Sequence, residues 1–466
     1  MAQNKYKRLA GNSILFAVGN LGSKLISFFM LPLYTWKLTQ SDFGISDLVL
    51  STLSLLLPII SLSVYDAVLR FSLDRNKDIK EVFSNSMFIS MIGVVIMIFS
   101  IPLFKICNVD YSIYIISILI AQSFQMLFSQ YAKAIDKINI FAVNGIILSF
   151  LTAGLNILFL VIFNFGIHGY LLSVLVATII SDIGLWIVLA LHKNIDVKKI
   201  SKKGSKELLK YSIPLIPNGI AWWITNTVSR YFILFFLNTA ANGIFAVANK
   251  IPSLLNILNT IFFQAWQLSA IEEFNSEDSS NFYSKIFSLY SKFLFIGMSG
   301  ILLILKPLMN LLVSKEYFIS WKFVPFLLLT VIYSSFSSFL GHYYAASKQT
   351  MKVFTTTVLG SVISILGNIV LIPMIGLNGA GISSSISFFI IWLIRLKDTK
   401  RFVKTSIDVP NLVKNHLFIF IQIAGLYLLN GIGLGIWEIS CLIIVLIVNR
   451  ELIFTLFQML FHRKTI

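Results

Sequence analysis

The chain has 466 residues, of which 57% are hydrophobic and only 12% are charged, and its mean hydropathy is +0.85. This composition excludes a soluble globular protein, because a chain of this size could not remove so much apolar surface from water. The net charge of +17 follows from the enrichment of Lys and Arg in the cytoplasmic loops of membrane proteins. We therefore expect an all-α polytopic membrane protein that binds no nucleic acid.

About fourteen apolar stretches are long enough to cross a hydrocarbon layer of about 30 Å as helices. In chain order, the predicted spans cover 9–33, 43–66, 82–104, 112–134, 141–163, 169–191, 211–237, 242–268, 285–305, 322–346, 352–373, 379–397, 415–434 and 437–460. Of the 37 Lys and Arg residues, 28 lie on the side of the N-terminus and five on the opposite side. This asymmetry and the even number of spans predict that both termini are cytoplasmic.

The longest predicted loop follows the sixth span and covers 192–210. Its seven lysines are typical of a cytoplasmic loop that contacts lipid head groups. It also separates two halves that share short repeats: Gly44 and Ile45 open the second span, and Gly243 and Ile244 open the eighth. Six spans per repeat predict two lobes that enter the membrane in the same sense around a central cavity. The expected units are an N-terminal lobe over 1–200, a C-terminal lobe over 201–400 and two further helices over 401–466.

The seventh and eighth spans each carry a row of polar side chains among apolar ones. At 100° per residue, these side chains fall largely on one side of each helix. A polar stripe in lipid must face protein or water, so the two stripes are interpreted as walls of a solvated cavity. The residues assigned to these walls are Trp222, Asn226, Arg230, Asn249, Lys250, Asn256 and Gln267.

The first span carries Lys24 near its middle, and Asn20 lies on the same side of the helix. A lysine at that depth costs about 2.5–3.5 kcal/mol on insertion scales, so we expect its ammonium group to face the cavity. Together with Arg230 and Lys250 it would give the bundle interior three cations that attract phosphate groups. Amides and Trp in the same walls suit sugars, which present both hydroxyls and apolar faces.

Several further residues are candidates for gating, coupling and bending. Arg70 follows the second span and is a candidate gate at the cytoplasmic mouth. Asp182 is the one acidic residue near the centre of a span, which makes it a candidate for proton or sodium coupling. Prolines remove backbone hydrogen bonds, so the seventh and eighth spans are expected to bend at Pro214, Pro217 and Pro252.

The sequence contains no pattern that predicts an enzyme, a metal site or a bound cofactor. The five histidines and two cysteines lack metal-ligand spacing. The glycines of 19–24 lack the spacing of a phosphate-binding loop and are not followed by Ser or Thr. We therefore expect a transport protein without a catalytic domain or a metal, for which proton, sodium and membrane potential are all compatible energy sources.

Five motifs give the chain a resemblance to a known family. They are SRYFILFFLNTAANGIFAVANKI from Ser229, FQAWQLSAI from Phe263, DFG at Asp42–Gly44, VLRF at Val68–Phe71 and GNIVLIPMIGLNGAGIS at Gly367–Ser383. On these, the chain resembles the polysaccharide transporter branch, the Wzx-type flippases, of the multidrug/oligosaccharidyl-lipid/polysaccharide exporter superfamily. The resemblance implies a cavity lined by helices 1, 2, 7 and 8 and alternating access between the two membrane faces.

The resemblance also implies a substrate, which is an undecaprenyl-diphosphate-linked oligosaccharide moved across the bacterial plasma membrane for capsule or exopolysaccharide synthesis. The polymerase and glycosyltransferases of the same pathway are the implied protein partners, and membrane lipids surround the chain. Two alternatives share the architecture: a flippase of the peptidoglycan lipid precursor and a multidrug or cation antiporter. A membrane scaffold without transport activity is a further alternative, and it leaves the three cations in the spans without a purpose.

Overall fold

The computed structural model describes residues 21–74, 76–106, 109–272, 279–347 and 349–454. Within these ranges all regular secondary structure is helical, which confirms the all-α class. In the described part of the chain, ten helices are long and apolar enough to cross a membrane, and one bent pair of helices would make an eleventh span. The chain is therefore a multi-pass membrane protein, whereas the number of fourteen spans stays a prediction.

The helices run from α1 to α19 in chain order. Those of the first half are α1 (21–29), α2 (Leu31–Lys37), α3 (Gln40–Ile60), α4 (Val64–Ser72), α5 (Ile79–Ile106), α6 (Ser112–Ala134), α7 (Ile138–Asn156, continued as a π-helix over Ile157–Ile162), α8 (Gly166–Val188), α9 (Lys202–Ser212), α10 (Ile216–Thr227) and α11 (Ser229–Phe236). Those of the second half are α12 (Thr239–Lys250), α13 (Pro252–Glu272), α14 (Ser279–Leu312), α15 (Val324–Ala346), α16 (Thr350–Ile375), α17 (Leu377–Thr399), α18 (Val409–Leu428) and α19 (Gly431–Val448).

The predicted seventh and eighth spans are each interrupted. The seventh starts with a 3₁₀ turn at Ile213–Leu215, continues as α10 and restarts after Val228 as α11. Its bending at Pro214 and Pro217 stays a prediction. In the eighth, α12 and α13 are bent by 44° where Pro252 follows Ile251. Proline lacks the N–H that would continue the helix ladder, and the predicted bend at Pro252 is confirmed.

Helix α9 also occupies the second half of the stretch predicted as a loop over 192–210. Ser201 caps the start of α9, since its hydroxyl accepts a hydrogen bond from the Gly204 N–H at 3.0 Å. Leu208 on this helix is buried in a core with Phe83 and Tyr131, whose ring centroids are 4.2 Å apart. The prediction of a loop is wrong here because the high charge of the segment obscures its helical pattern.

The residues that the structure describes form two compact units. The first runs to Thr227 and also takes in Asn238–Gly243, whereas the second comprises Val228–Leu237 and the chain from Ile244 onward. The core of the first unit is built from α4, α5, α6, α8 and α9. In the second unit the core is aromatic, and the rings of Phe262 and Tyr290 are stacked with their centroids 3.9 Å apart. The lobe boundaries expected from the repeat stay a prediction.

The two repeated glycines contact each other inside the first unit. A Cβ atom on Gly44 would lie 2.0 Å from the carbonyl oxygen of Thr239, and one on Gly243 would lie 1.9 Å from that of Gln40. The amide of Asn242 donates to the Gly44 carbonyl at 2.8 Å. Only glycine allows backbones to approach so closely, so the start of α3 and the start of α12 form one tight junction.

Candidate functional site

The polar side chains on one face of α10 are exposed on the surface of the first unit. Trp223 fixes the helix to α3, since its indole N–H donates to the Ser51 carbonyl at 3.0 Å and to the Ser54 hydroxyl at 3.1 Å. On the neighbouring face, Trp222 is 41% exposed and Asn226 is exposed one turn later. The Asn226 amide donates to the Trp222 carbonyl at 2.8 Å. An aromatic face and an amide oxygen are thus presented side by side.

The other candidate residues of the first unit are spread over different helices. Lys24 is exposed on α1, and Arg70 is exposed in the last turn of α4. Asn20 lies outside the described residues. Exposure at Lys24 and Arg70 leaves both cations accessible on the surface of their own unit.

The candidate residues of the second unit lie on α11, α12 and α13. Arg230, Asn249 and Lys250 are half-buried, and Asn256 is exposed. The Asn249 amide donates to the Phe245 carbonyl of its own helix at 2.8 Å, which leaves its oxygen as an acceptor. The side chain of Gln267 lies outside what the structure describes. A shared cavity for these residues and those of the first unit stays a prediction.

Asn259, one turn after Asn256, has a different environment. It is buried, donates to the Ser335 hydroxyl at 2.6 Å and accepts from the Tyr290 hydroxyl at 2.8 Å. These bonds join α13, α14 and α15. Of the two asparagines of α13, Asn259 therefore holds the bundle together, whereas Asn256 is exposed.

Asp182 faces an apolar cavity of the first unit. The cavity measures about 280 Å³ and is lined by Met87, Met91, Phe124 and Trp186, among others. One carboxylate oxygen of Asp182 is buried without a hydrogen-bond partner among the described atoms. Such a carboxyl is stable when it carries a proton or binds a cation, which is compatible with the predicted coupling role.

Arg395 is a buried cation in a segment whose charge pattern predicts a cytoplasmic position. It is only 5% exposed near the end of α17. Its guanidinium donates to the Ser337 carbonyl at 2.9 Å and to the hydroxyls of Thr356 and Thr357 at 3.0 and 3.2 Å. These partners lie about forty or more residues earlier in the chain, so no local pattern could reveal them. The arrangement joins α15, α16 and α17.

Glu438 is a buried acid that the sequence analysis did not assign to the site. It is 1% exposed on α19 and accepts a hydrogen bond from the Gln422 amide at 2.7 Å. The Gln422 oxygen in turn accepts from the Ser299 hydroxyl at 2.8 Å. This network connects α14, α18 and α19 within the second unit. Among the described residues, no three His, Cys, Asp or Glu side chains are placed to hold a metal ion.

Known transporter structures share this fold. The Lipid II flippase MurJ in an inward closed conformation matches with a TM-score of 0.70 and 16% identity, over 96% of this chain and 99% of that one. An inward-facing multidrug resistance MATE family transporter of the MOP superfamily matches with a TM-score of 0.63 and 16% identity, over 84% and 96%. The structure of MATE in complex with MaL6 matches with a TM-score of 0.61 and 14% identity, over 86% of this chain and 97% of that one. These likenesses confirm the predicted fold.

The sequence itself matches one family over more than half of its length. No curated protein matches the chain, but the profile of the family described as "Polysaccharide biosynthesis protein" matches residues 9–267. That region contains the polar stripes of the seventh and eighth spans and the paired glycines. The resemblance to the polysaccharide transporter branch is thereby confirmed. The chain belongs to the polysaccharide biosynthesis protein family and has the fold of MOP-superfamily transporters.

Proposed function

We propose that this chain flips a polyprenyl-diphosphate-linked oligosaccharide from the inner to the outer leaflet of the bacterial plasma membrane. The observation that carries the proposal is the combination of a polysaccharide biosynthesis family match with a transporter fold. A pathway that builds a surface polymer from lipid-linked units needs a transport step of this kind. Both termini are cytoplasmic in this proposal, and the polymerase and glycosyltransferases of the pathway are the partners.

Substrate binding is assigned to the cations and amides of the first, seventh and eighth spans. Lys24, Arg230 and Lys250 attract the diphosphate, and Arg230 can form paired hydrogen bonds with its oxygens. Trp222 and Asn226 lie side by side and exposed on α10, which supports their use as a platform for a sugar ring. Asn249 and Asn256 supply further amide groups, and Gln267 is included on its predicted position alone.

Alternating access would use the junction of α3 and α12 as a gate. In the predicted topology, Gly44 and Gly243 lie at the outer ends of their helices, where their backbones now touch. Separation of the two backbones would open the cavity at the outer face of the membrane. The bend before Pro252 would serve as the hinge about which α12 moves. Arg70 would act at the cytoplasmic mouth. Asp182 would bind the coupling proton or sodium ion.

A second candidate is the flipping of the peptidoglycan lipid precursor. It is favoured by the match to the Lipid II flippase MurJ, which extends over 96% of this chain, compared with 84–86% for the MATE structures. Both candidate substrates are lipid diphosphates that carry sugars. The same cations and amides would therefore serve either one.

The test is the lipid that accumulates when the gene is deleted. We expect mass analysis of the deletion strain to show a lipid-linked oligosaccharide of the surface polymer, retained on the cytoplasmic side. Complementation with the wild-type gene should remove it. Accumulation of the peptidoglycan precursor instead would favour the second candidate, and no accumulated lipid diphosphate would contradict both.

A further inference from the structure

The basic segment over 192–214, called the linker below, has a fixed shape, because a buried side chain of α5 holds it in place. Asn85 is 1% exposed and donates to the Lys199 carbonyl at 3.1 Å. Its side-chain oxygen accepts from the Ser201 N–H at 2.9 Å and from the Ser205 hydroxyl at 3.0 Å. These bonds fix the start of α9 on the first turns of α5, so the lysines of α9 have defined positions.

Two ion pairs also hold the linker against the residues that precede α5, and each of them occupies a carboxylate. Lys77 pairs with Glu207 at 2.7 Å, and Lys199 pairs with Asp78 at 2.5 Å. The hydrogen bond from Lys199 holds the pKa of the Asp78 carboxyl below its usual value. These carboxylates are therefore bound to other lysines and are not placed to neutralise the lysine row described next.

Three exposed lysines form a row on α9. Lys202, Lys206 and Lys210 are spaced by four residues, so they lie along one face and extend over about 12 Å. All three line a groove of about 850 Å³. In the part of the chain that the structure describes, none of them forms an ion pair with an acid. The row is a concentration of positive charge at one edge of the groove.

The floor of this groove is apolar and continues onto an exposed apolar face of α5. Leu209, Ile213 and Pro214 line it from the linker side, and Phe88 lines it from α5. Phe88 is itself 45% exposed and begins a stripe of exposed apolar side chains along α5. The further members of that stripe are Met91, Ile92, Val95, Ile96 and Phe99. A hydrocarbon chain can therefore pass from the groove along α5 without crossing a polar surface.

We propose that this groove is a binding site for one anionic glycerophospholipid of the surrounding bilayer. The head-group phosphate would contact the lysine row, and one acyl chain would lie along α5. Lysine rows near a membrane surface attract anionic lipids by about 1 kcal/mol per residue. The groove is lined by Lys, Ser, Pro and apolar residues, without the Trp, Asn or Gln side chains that would recognise a sugar. This chemistry favours a phospholipid over a lipid-linked oligosaccharide, and the inference does not depend on the proposed function.

The experiment is native mass spectrometry of the purified full-length protein titrated with phosphatidylglycerol or phosphatidylcholine of identical acyl chains. We expect one phosphatidylglycerol to bind with clear preference over phosphatidylcholine. The variant K202Q/K206Q/K210Q should weaken this binding on the order of 100-fold. A control with the same charge change, K397Q/K400Q/K404Q, removes exposed lysines of another segment and should bind as the wild type does.

A second variant and a competitor complete the test. Leu209→Asn changes the floor and not the charge, and we expect it to weaken binding at least fivefold if the acyl chain occupies the groove. Equal binding by the wild type and the triple lysine variant would overturn the proposal. So would equal losses in the triple variant and its control. Displacement of phosphatidylglycerol by a lower concentration of undecaprenyl diphosphate would also overturn it, because the occupant would then be the substrate lipid.

Discussion

Buried polar side chains of the second unit illustrate how one residue can connect several membrane helices. Arg395 reaches two threonines of α16 and a carbonyl of α15, and Asn259 connects three helices in the same way. Lipid offers no hydrogen-bond partners, so these groups are satisfied inside the protein. Their role is structural, whereas the exposed polar residues of the same helices are available for a ligand.

Arg395→Lys should destabilise the protein by about 3 kcal/mol, because an ammonium cannot reproduce the forked set of guanidinium hydrogen bonds. Thermal unfolding in detergent is the measurement, with the loss of folded protein followed by size exclusion. Lys397→Gln, two residues later and exposed, is the matched control and should stay within about 0.5 kcal/mol of the wild type. Equal stability of Arg395→Lys and the wild type would contradict the structural role.

Asn256 and Asn259 provide a matched pair on one helix. Asn256→Ala should lower transport at least threefold and leave the unfolding temperature unchanged, because its side chain is exposed. Asn259→Ala should cost about 1–3 kcal/mol of stability, because it leaves Tyr290 and Ser335 without a buried partner. Transport in cells and unfolding in detergent are measured for both. The assignment fails if the two variants show the reverse pattern.

At the scale of elements, the junction of α3 and α12 is a contact that depends on two glycines. Gly243→Ala places a Cβ atom 1.9 Å from the Gln40 carbonyl oxygen, so the two helix ends must separate. The hydroxyls of Ser41 and Thr239, 2.6 Å apart in the wild type, report on this contact. The Ser41→Cys/Thr239→Cys pair should form a disulfide under mild oxidation, which non-reducing electrophoresis after cleavage between the two positions can detect.

Adding Gly243→Ala to the cysteine pair should lower the crosslinked fraction at least twofold, and the crosslink itself should block transport if the junction must open. Each single cysteine variant is a control for pairing with Cys107 or Cys441. A crosslinked protein that transports at the wild-type rate would exclude this junction as a gate.

Asn85 of α5 makes three hydrogen bonds that anchor the linker helix α9, beside the ion pairs of Lys77 and Lys199. Asn85→Ala removes three hydrogen bonds to the linker, so the amides of 196–205 should exchange their hydrogens at least tenfold faster. Hydrogen exchange with mass spectrometry measures this directly. Asn76→Ala changes an exposed asparagine near the same region and should leave exchange unchanged. Protection of the linker in Asn85→Ala equal to that in the wild type would mean that another contact fixes it.

At the scale of the whole molecule, hydropathy was sufficient for the fold class, because each helix must supply a long apolar surface to lipid. Pro252 also predicted the bend of the eighth span, since the missing N–H is a local property. Helix α9 is not predicted, because the high charge of its segment obscures the helical pattern and its anchor Asn85 lies more than one hundred residues earlier. Arg395 could not be recognised as buried for the same reason. Pairings between distant helices determine both features, and a single sequence does not contain them.

The candidate site was predicted on periodicity, which identifies the face of a helix but not what covers it. That approach selected Trp222 and Asn226, and both are exposed. Periodicity does not distinguish the exposed Trp222 from Trp223, whose indole N–H is hydrogen-bonded to α3. The distinction depends on the partner helix.

In the proposed function, cations of the first, seventh and eighth spans bind a lipid diphosphate during transport. Its most direct test is the transfer of an undecaprenyl-diphosphate oligosaccharide between leaflets of proteoliposomes, followed by access of an externally added lectin. We expect transfer by the wild type, at least tenfold slower transfer by K24Q/R230Q/K250Q, and wild-type transfer by K397Q/K400Q/K404Q. Wild-type rates in K24Q/R230Q/K250Q, with the protein folded, would contradict it.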